Sequence, residues 1–261
     1  DDCTCGRRRR RGARSGRVGA LLAQELLDLG HEVAGGRQLV ARLRCGRRLL
    51  VTNALSRFVK FRTPPMSEVT VVDVEGKRVE DRWVVPESNL LLGVAWHPGG
   101  EFALATMNRT KNLVPMTRIL QGWTITNGLA VLWKGGRVDQ VLLDEPQRYF
   151  ADITGVAFTP DGKTAVATSA GSNRAAIIDV DKLVGLVRRT PDEDRRDVLP
   201  NWLGASAEFV VARVETKDNP RGVAVAPDGK TAWVANTLDD SLSVIDLGRG
   251  EAVARVDLGG P

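Results

Sequence analysis

A chain of 261 residues, 43% hydrophobic and 26% charged, is long enough to bury one large core or one domain with a tail. No run approaches the roughly 18 apolar residues that a membrane helix needs, which excludes a membrane-spanning segment. The net charge of +5 divides unevenly: residues 1–50 hold twelve Arg and no Lys against five acids, and the remainder is net acidic, so most of the chain lacks the cationic surplus that nucleic-acid binding draws on.

The first 45 residues form a separate Arg-rich segment, expected to be irregular or partly helical. All three cysteines, Cys3, Cys5 and Cys45, fall here, and the "CTC" spacing is wrong for a zinc knuckle. An export signal needs an apolar core of about 7–15 residues. After five consecutive Arg, "VGALLAQELLDLG" is broken by Gln24, Glu25 and Asp28. "GRVGALLAQELLDLGHEV" has the Gly-rich turn and amphipathic helix of a dinucleotide site, but "RRRRRGARS" stands where the preceding apolar strand belongs. Leu21, Leu22, Leu26, Leu27 and Leu29 read more simply as an amphipathic stretch. A remnant of an earlier repeat and a misread frame both remain open for this segment.

From residue 46 onward the chain repeats itself. "GVAWHPGG", "GVAFTPDGK" and "GVAVAPDGK" begin at Gly93, Gly155 and Gly222. A further copy runs from "CGRRLLVTNALSRFVKF" into "VTVVDVEGKRVEDRWVV", which parallels "LSVIDLGRGEAVARVDL". Val223, Val225, Ala232 and Val234 alternate or cluster as half-buried strands require. Between them Pro227 fixes φ and Gly229 accepts the positive φ of a tight turn, so each copy predicts two hairpins, or four antiparallel strands. A four-stranded sheet of this kind cannot cover both of its faces alone, and radial stacking of such sheets yields a propeller.

"LLVTN", "AWVANTLDDSLSVID" and "NPRGVAVAPDGK" resemble the YVTN family of bacterial β-propeller repeats, across 46–98 and 152–260 and more weakly through 99–151. The resemblance implies an all-β propeller over 46–261 with four legible four-stranded blades. It also implies part of a ring, since family members commonly close with about seven blades. Two insertions lengthen the period, "SRFVKFRTPPMSE" and "KLVGLVRRTPDEDRRDVLPNWLGASAE". Within the second, residues 188–197 are mixed in sign and expected to form a solvated loop.

The resemblance further implies a non-catalytic scaffold for a protein or ligand, periplasmic or extracellular. Some family members carry a c-type cytochrome domain after the propeller. No C-x-x-C-H occurs in this sequence, so a haem c would belong to a domain or redox partner outside these residues. The rival reading is a lactonase or quinoprotein-like enzyme holding Ca²⁺ over a central channel.

Only His31 and His97 are available as imidazoles, and His97 shares a pre-proline slot with Thr159 and Ala226, which makes it a turn residue. Asp73, Asp179 and Asp246 share another place, and are expected to accept N–H bonds from the turn beneath them. Asn53 and Asn236 are expected to bond loop backbone similarly. The least repetitive stretch is Asn108 to Trp133. There Arg109, Lys111 and Arg118 gather near Trp123 and Asn127 as a candidate surface for an anionic ligand or a partner. The alternative is a widened blade in which Leu113, Ile119, Leu120 and Trp123 simply pack.

Overall fold

A computed structural model describes residues 47–57, 60, 63–110 and 125–259, together with the backbone of 38–42. The amphipathic stretch, the three cysteines, His31, Lys111, Arg118 and Trp123 lie outside the described residues.

Four antiparallel sheets follow one another along the chain. The first comprises β1 (Gln38–Arg42), β2 (Arg48–Asn53), β3 (Met66–Asp73) and β4 (Arg78–Pro86). Its innermost strand therefore begins upstream of residue 46, where the repeat first becomes readable. The second has β5 (Ser88–Asn89) and β6 (Val94–Trp96) sharing the inner edge of β7 (Phe102–Thr110), followed by β8 (Ile125–Trp133) and β9 (Val138–Leu142). The third is β10 (Ile153–Phe158), β11 (Thr164–Ser169), β12 (Arg174–Asp179) and β13 (Val210–Glu215). The fourth is β14 (Pro220–Val225), β15 (Thr231–Asn236), β16 (Ser241–Asp246) and β17 (Glu251–Asp257).

The pre-proline turns are built alike. The N–H groups of His97, Thr159 and Ala226 donate to the carbonyls of Phe102, Thr164 and Thr231, each at 2.9 Å. Gly100, Gly162 and Gly229 return an N–H to the same three residues, at 2.8, 2.9 and 2.9 Å, with φ of +74°, +76° and +71°. Only glycine takes that conformation without strain.

Each sheet hides its apolar face on the next. Leu50, Val71, Trp83 and Val85 of the first pack with Ala103, Met107 and Leu132 of the second. Leu104, Val131 and Val141 of the second pack with Ile153, Ala167 and Ile178 of the third. Val166, Ile177 and Val214 of the third pack with Ala232, Val234 and Ile245 of the fourth. Full burial of one such aliphatic side chain contributes about 1.5–3 kcal/mol. The innermost strands touch in succession, β6 against β1, β10 against β6 and β14 against β10. The result is an arc of four propeller blades.

The insertion between β12 and β13 corrects the expectation of a loop. It forms α1 (Val180–Arg189), α2 (Asp192–Asp197) and two short 3₁₀ turns, Leu199–Asn201 and Ala205–Glu208. Val180, Leu183, Leu186 and Val187 recur at helical spacing and are all buried. Asp179 caps α1, its Oδ1 accepting the Lys182 N–H at 3.0 Å. Residues 192–197 are mostly solvated and bury no side chain completely, but they are helical rather than irregular. Asp179→Ala should cost about 1 kcal/mol through the lost cap, read as a lower melting temperature by circular dichroism.

Candidate functional site

Two members of the candidate surface, Arg109 and Asn127, sit on neighbouring strands. β7 and β8 pair in register over nine residues, with Asn108 opposite Asn127 and Arg109 opposite Thr126. This hairpin outruns the six-residue β11 and β15 at the end of the arc where the inner strands begin.

Arg109 is 4% exposed. Its Nη1 donates to Gln140 Oε1 at 2.6 Å and its Nη2 to Glu87 Oε2 at 2.5 Å. Gln140 in turn donates to the Pro86 carbonyl at 2.7 Å. Burial pulls the guanidinium pKa down, and the Glu87 carboxylate opposes that shift. A buried cation held between two side-chain acceptors is a joint between the first and second blades, because Pro86 and Glu87 lead out of β4. Three consecutive residues here, Asn108, Arg109 and Thr110, each keep one buried polar atom without a hydrogen bond.

Asn127 is tied equally firmly. Asp144, wholly buried, accepts the Asn127 backbone N–H at 2.7 Å, the Phe150 N–H at 2.6 Å and the Asn127 side-chain amide at 3.2 Å. Burial pushes the Asp144 carboxyl above its ordinary range, opposed by these bonds and by the charge of Arg213. Arg213, from β13 of the next blade, donates to the Leu143 carbonyl at 2.7 Å and to Ser206 Oγ at 3.0 Å, and pairs with Glu145 at 3.3 Å. Its guanidinium also lies 5.3 Å from the centre of the Phe150 ring. Asp144, Arg213, Glu87 and Gln140 are not among the candidates drawn from the sequence, although Arg213 holds the same register place as Arg82 and Arg255, and Gln140 fills that place in the second blade. Asp144 and Glu145 carry a weaker signal, directly after a strand within the divergent second blade.

The repeated aspartates act locally and do not converge. Asp73 Oδ1 accepts the Glu75 N–H at 3.1 Å, and the Gly76 N–H holds its carboxyl below the ordinary range. Asp246 Oδ1 accepts N–H bonds from Gly248 and Arg249 at 2.9 and 3.0 Å. Asp179 differs, capping a helix instead of closing a turn. Asn236 also departs from expectation: its amide donates to the hydroxyls of Ser241 and Ser243, both at 3.0 Å, and not to loop backbone. Those serines lie across the β15–β16 hairpin, Ser241 directly opposite Asn236, so the buried amide nitrogen is satisfied within its own hairpin. Asn53 ends β2 in the corresponding position.

His97 fills the turn of the second blade. Its Nδ1 accepts the Gly99 N–H at 3.1 Å, and its ring stacks on Phe102 at 4.7 Å and meets the edge of Phe158 at 5.4 Å. A Cβ on Gly162 would come within 2.3 Å of His97 Nε2, so the imidazole seats the third blade's turn. Among the described residues no group of three or more His, Cys, Asp or Glu is placed to hold a metal ion, and no helix is long and apolar enough to cross a membrane.

No protein-family model matches the chain. Hydrazine synthase subunit beta of Kuenenia stuttgartiensis is 33% identical over 179 residues, which is 68% of this chain and 46% of that subunit. The chain thus spans about half the length of the curated relative it matches. A solved Kuenenia stuttgartiensis hydrazine synthase superposes with a TM-score of 0.71 at 29% identity, covering 79% of this chain and 57% of that one. A Pseudomonas aeruginosa periplasmic gluconolactonase superposes with a TM-score of 0.55 at 15% identity, over 85% of this chain and 57% of that one, a likeness of fold alone. The four stacked sheets and these likenesses together make the chain a β-propeller with homology to a hydrazine synthase beta subunit.

Proposed function

We propose that the protein is a non-catalytic β-propeller scaffold of the bacterial envelope that positions a partner carrying a c-type haem. The observation that carries this reading is the 33% identity to a protein named as one subunit of an enzyme. The YVTN resemblance supports a periplasmic or extracellular setting and a cytochrome-type partner. The haem is assigned to the partner or to a domain outside these residues, because the sequence holds no C-x-x-C-H. The described polar groups of the candidate surface support a rigid mount: Arg109 and Asn127 are fixed on internal acceptors. Partner contact is assigned to residues 111–124, whose Lys111, Arg118 and Trp123 include the residue types enriched at interface centres.

Native mass spectrometry of the tagged protein purified from its own organism tests the reading. The expected result is a stoichiometric complex with the Soret absorbance of a c-type haem, lost in an Arg118→Ala/Trp123→Ala double variant. A protein that stays free of partners and hydrolyses lactones in a Ca²⁺-dependent manner would establish the enzymatic rival instead.

A further inference from the structure

We infer that the seam between the third and fourth blades holds a binding site for a small amphipathic anion, a carboxylate carried on an apolar body. The cavity that carries it lies at the opposite end of the strands from Arg109 and Asn127, so it is independent of the scaffold reading.

The residue that opens the second strand of each blade decides how that end of the seam is filled. In the first blade it is Arg48, which pairs with Asp73 as Thr164 pairs with Asp179 in the third. Arg48 bonds both carboxylate oxygens of Glu80, the one extra residue of a bulge between the pairs Val71–Asp81 and Val72–Val79. In the second blade it is Phe102, whose carbonyl accepts the turn N–H of His97 as that of Thr164 accepts the N–H of Thr159. Phe102 is 2% exposed, and its ring meets Phe158 of the third blade at 6.0 Å, so it spans the seam. In the third blade the place falls to Thr164, and the extra residue of the matching bulge is Val211, between the pairs Ile178–Val210 and Ile177–Ala212. Both are short and uncharged. A cavity of about 410 Å³ remains beside them, within the range of small-molecule pockets.

Its walls are apolar, formed by Ile177, Val211, Ala212 and Leu247. Gly250, at φ +69°, closes on Ala212 so tightly that a Cβ would stand 2.9 Å from the alanine's own. Val211 is 61% exposed, and an apolar occupant would cover it.

The charges at the rim choose the sign of the ligand. Asp179 is answered by the Lys182 N–H at 3.0 Å and the Lys182 ammonium at 3.7 Å. Asp181 lies in the first turn of α1, where the helix dipole favours a negative charge. Lys163 and Arg249 are different. Asp161 and Asp246 take their backbone N–H groups at 3.1 and 3.0 Å, but among the described residues neither side-chain cation has an ion-pair partner. The unanswered charge is positive, beside apolar walls, and a carboxylate with an apolar body meets both.

Equilibrium dialysis against radiolabelled octanoate, below its micelle concentration, tests the site. Saturable binding at a single site per chain is expected, and octylammonium of the same chain length should not compete. Lys163→Gln/Arg249→Gln should weaken binding by roughly tenfold or more, the loss expected for a hydrogen bond to a charged group, with the melting temperature unchanged. Thr164→Arg/Val211→Glu carries the first blade's pair into the third and should abolish binding in a protein that stays folded by circular dichroism. Octanoate that does not bind, octylammonium that competes equally, or full affinity in the glutamine variant overturns the inference. Binding that survives in the folded Arg/Glu variant does so too; if that variant does not fold, the glutamine variant decides.

Discussion

Replacing Gly155 with alanine is expected to destabilise the protein by about 3 kcal/mol, the upper end of the usual cost of overpacking. The added Cβ falls 2.4 Å from the Arg221 carbonyl oxygen, 2.8 Å from Thr168 Oγ1 and 3.2 Å from Val223 Cγ1. The carbonyl is not free to turn aside, because it accepts the hydroxyl of Thr168 at 2.9 Å and that of Thr154 at 3.2 Å. Thr168 is held as well, by the Gly155 N–H at 3.0 Å. Relief requires β14 to move away from β10, and the contacts of Val166, Ile177 and Val214 with Ala232, Val234 and Ile245 open with it. The melting temperature should fall by about 10 °C, at 2–4 °C per kcal/mol for a chain of this size. Thermal unfolding followed by circular dichroism checks this, and a midpoint shift below about 2 °C would show that the blades do not approach as closely as described.

The same glycines explain how far the fold was readable. A strand pair joined by Pro-Asp-Gly is specified within some fifteen residues, by alternation on either side and a positive φ between. Three inner hairpins are therefore visible from "GVA" and the "PGGE" or "PDGK" that follows it. β1 is not, since "QLVAR" carries neither signal and is identified only by its pairing with β2. α1 was missed for a different reason. Asp179 aligns with Asp73 and Asp246, which close turns, and that alignment hides the helical spacing of Val180, Leu183, Leu186 and Val187 behind it.

The candidate site was the least readable part, because its partners are distant in sequence. Arg109 reaches Glu87 and Gln140 from 22 and 31 residues away, and Arg213 reaches Leu143 from 70. Residue type suggested free cations and amides on β7 and β8. Only the fold shows that these groups face acceptors, within the second blade for Gln140 and Asp144 and at its joint with the first for Glu87. The period of the repeat conveys which strands pair but not which polar side chains meet across a blade boundary.

Asp144→Ala is expected to cost about 3 kcal/mol, at about 1–3 kcal/mol for each buried donor left without an acceptor. Two backbone N–H groups, those of Asn127 and Phe150, lose their only described partner. Neither is near enough to the surface to turn to water, since Asn127 is 4% and Phe150 1% exposed. Arg213 keeps Glu145 but loses a second carboxylate that favours its charged form. The pH dependence separates this role from simple packing. Burial raises the folded-state pKa of Asp144 above the ordinary 3.8, so its contribution is complete below that value and declines as pH rises through the raised one. Asp144→Asn removes the titration, so its deficit relative to the native protein should be greatest in acid and narrow toward neutral pH. Urea unfolding across that range reads the difference directly. A deficit that widens with rising pH would mean that the Asp144 carboxylate is stabilised where it lies, with its hydrogen bonds and Arg213 outweighing burial.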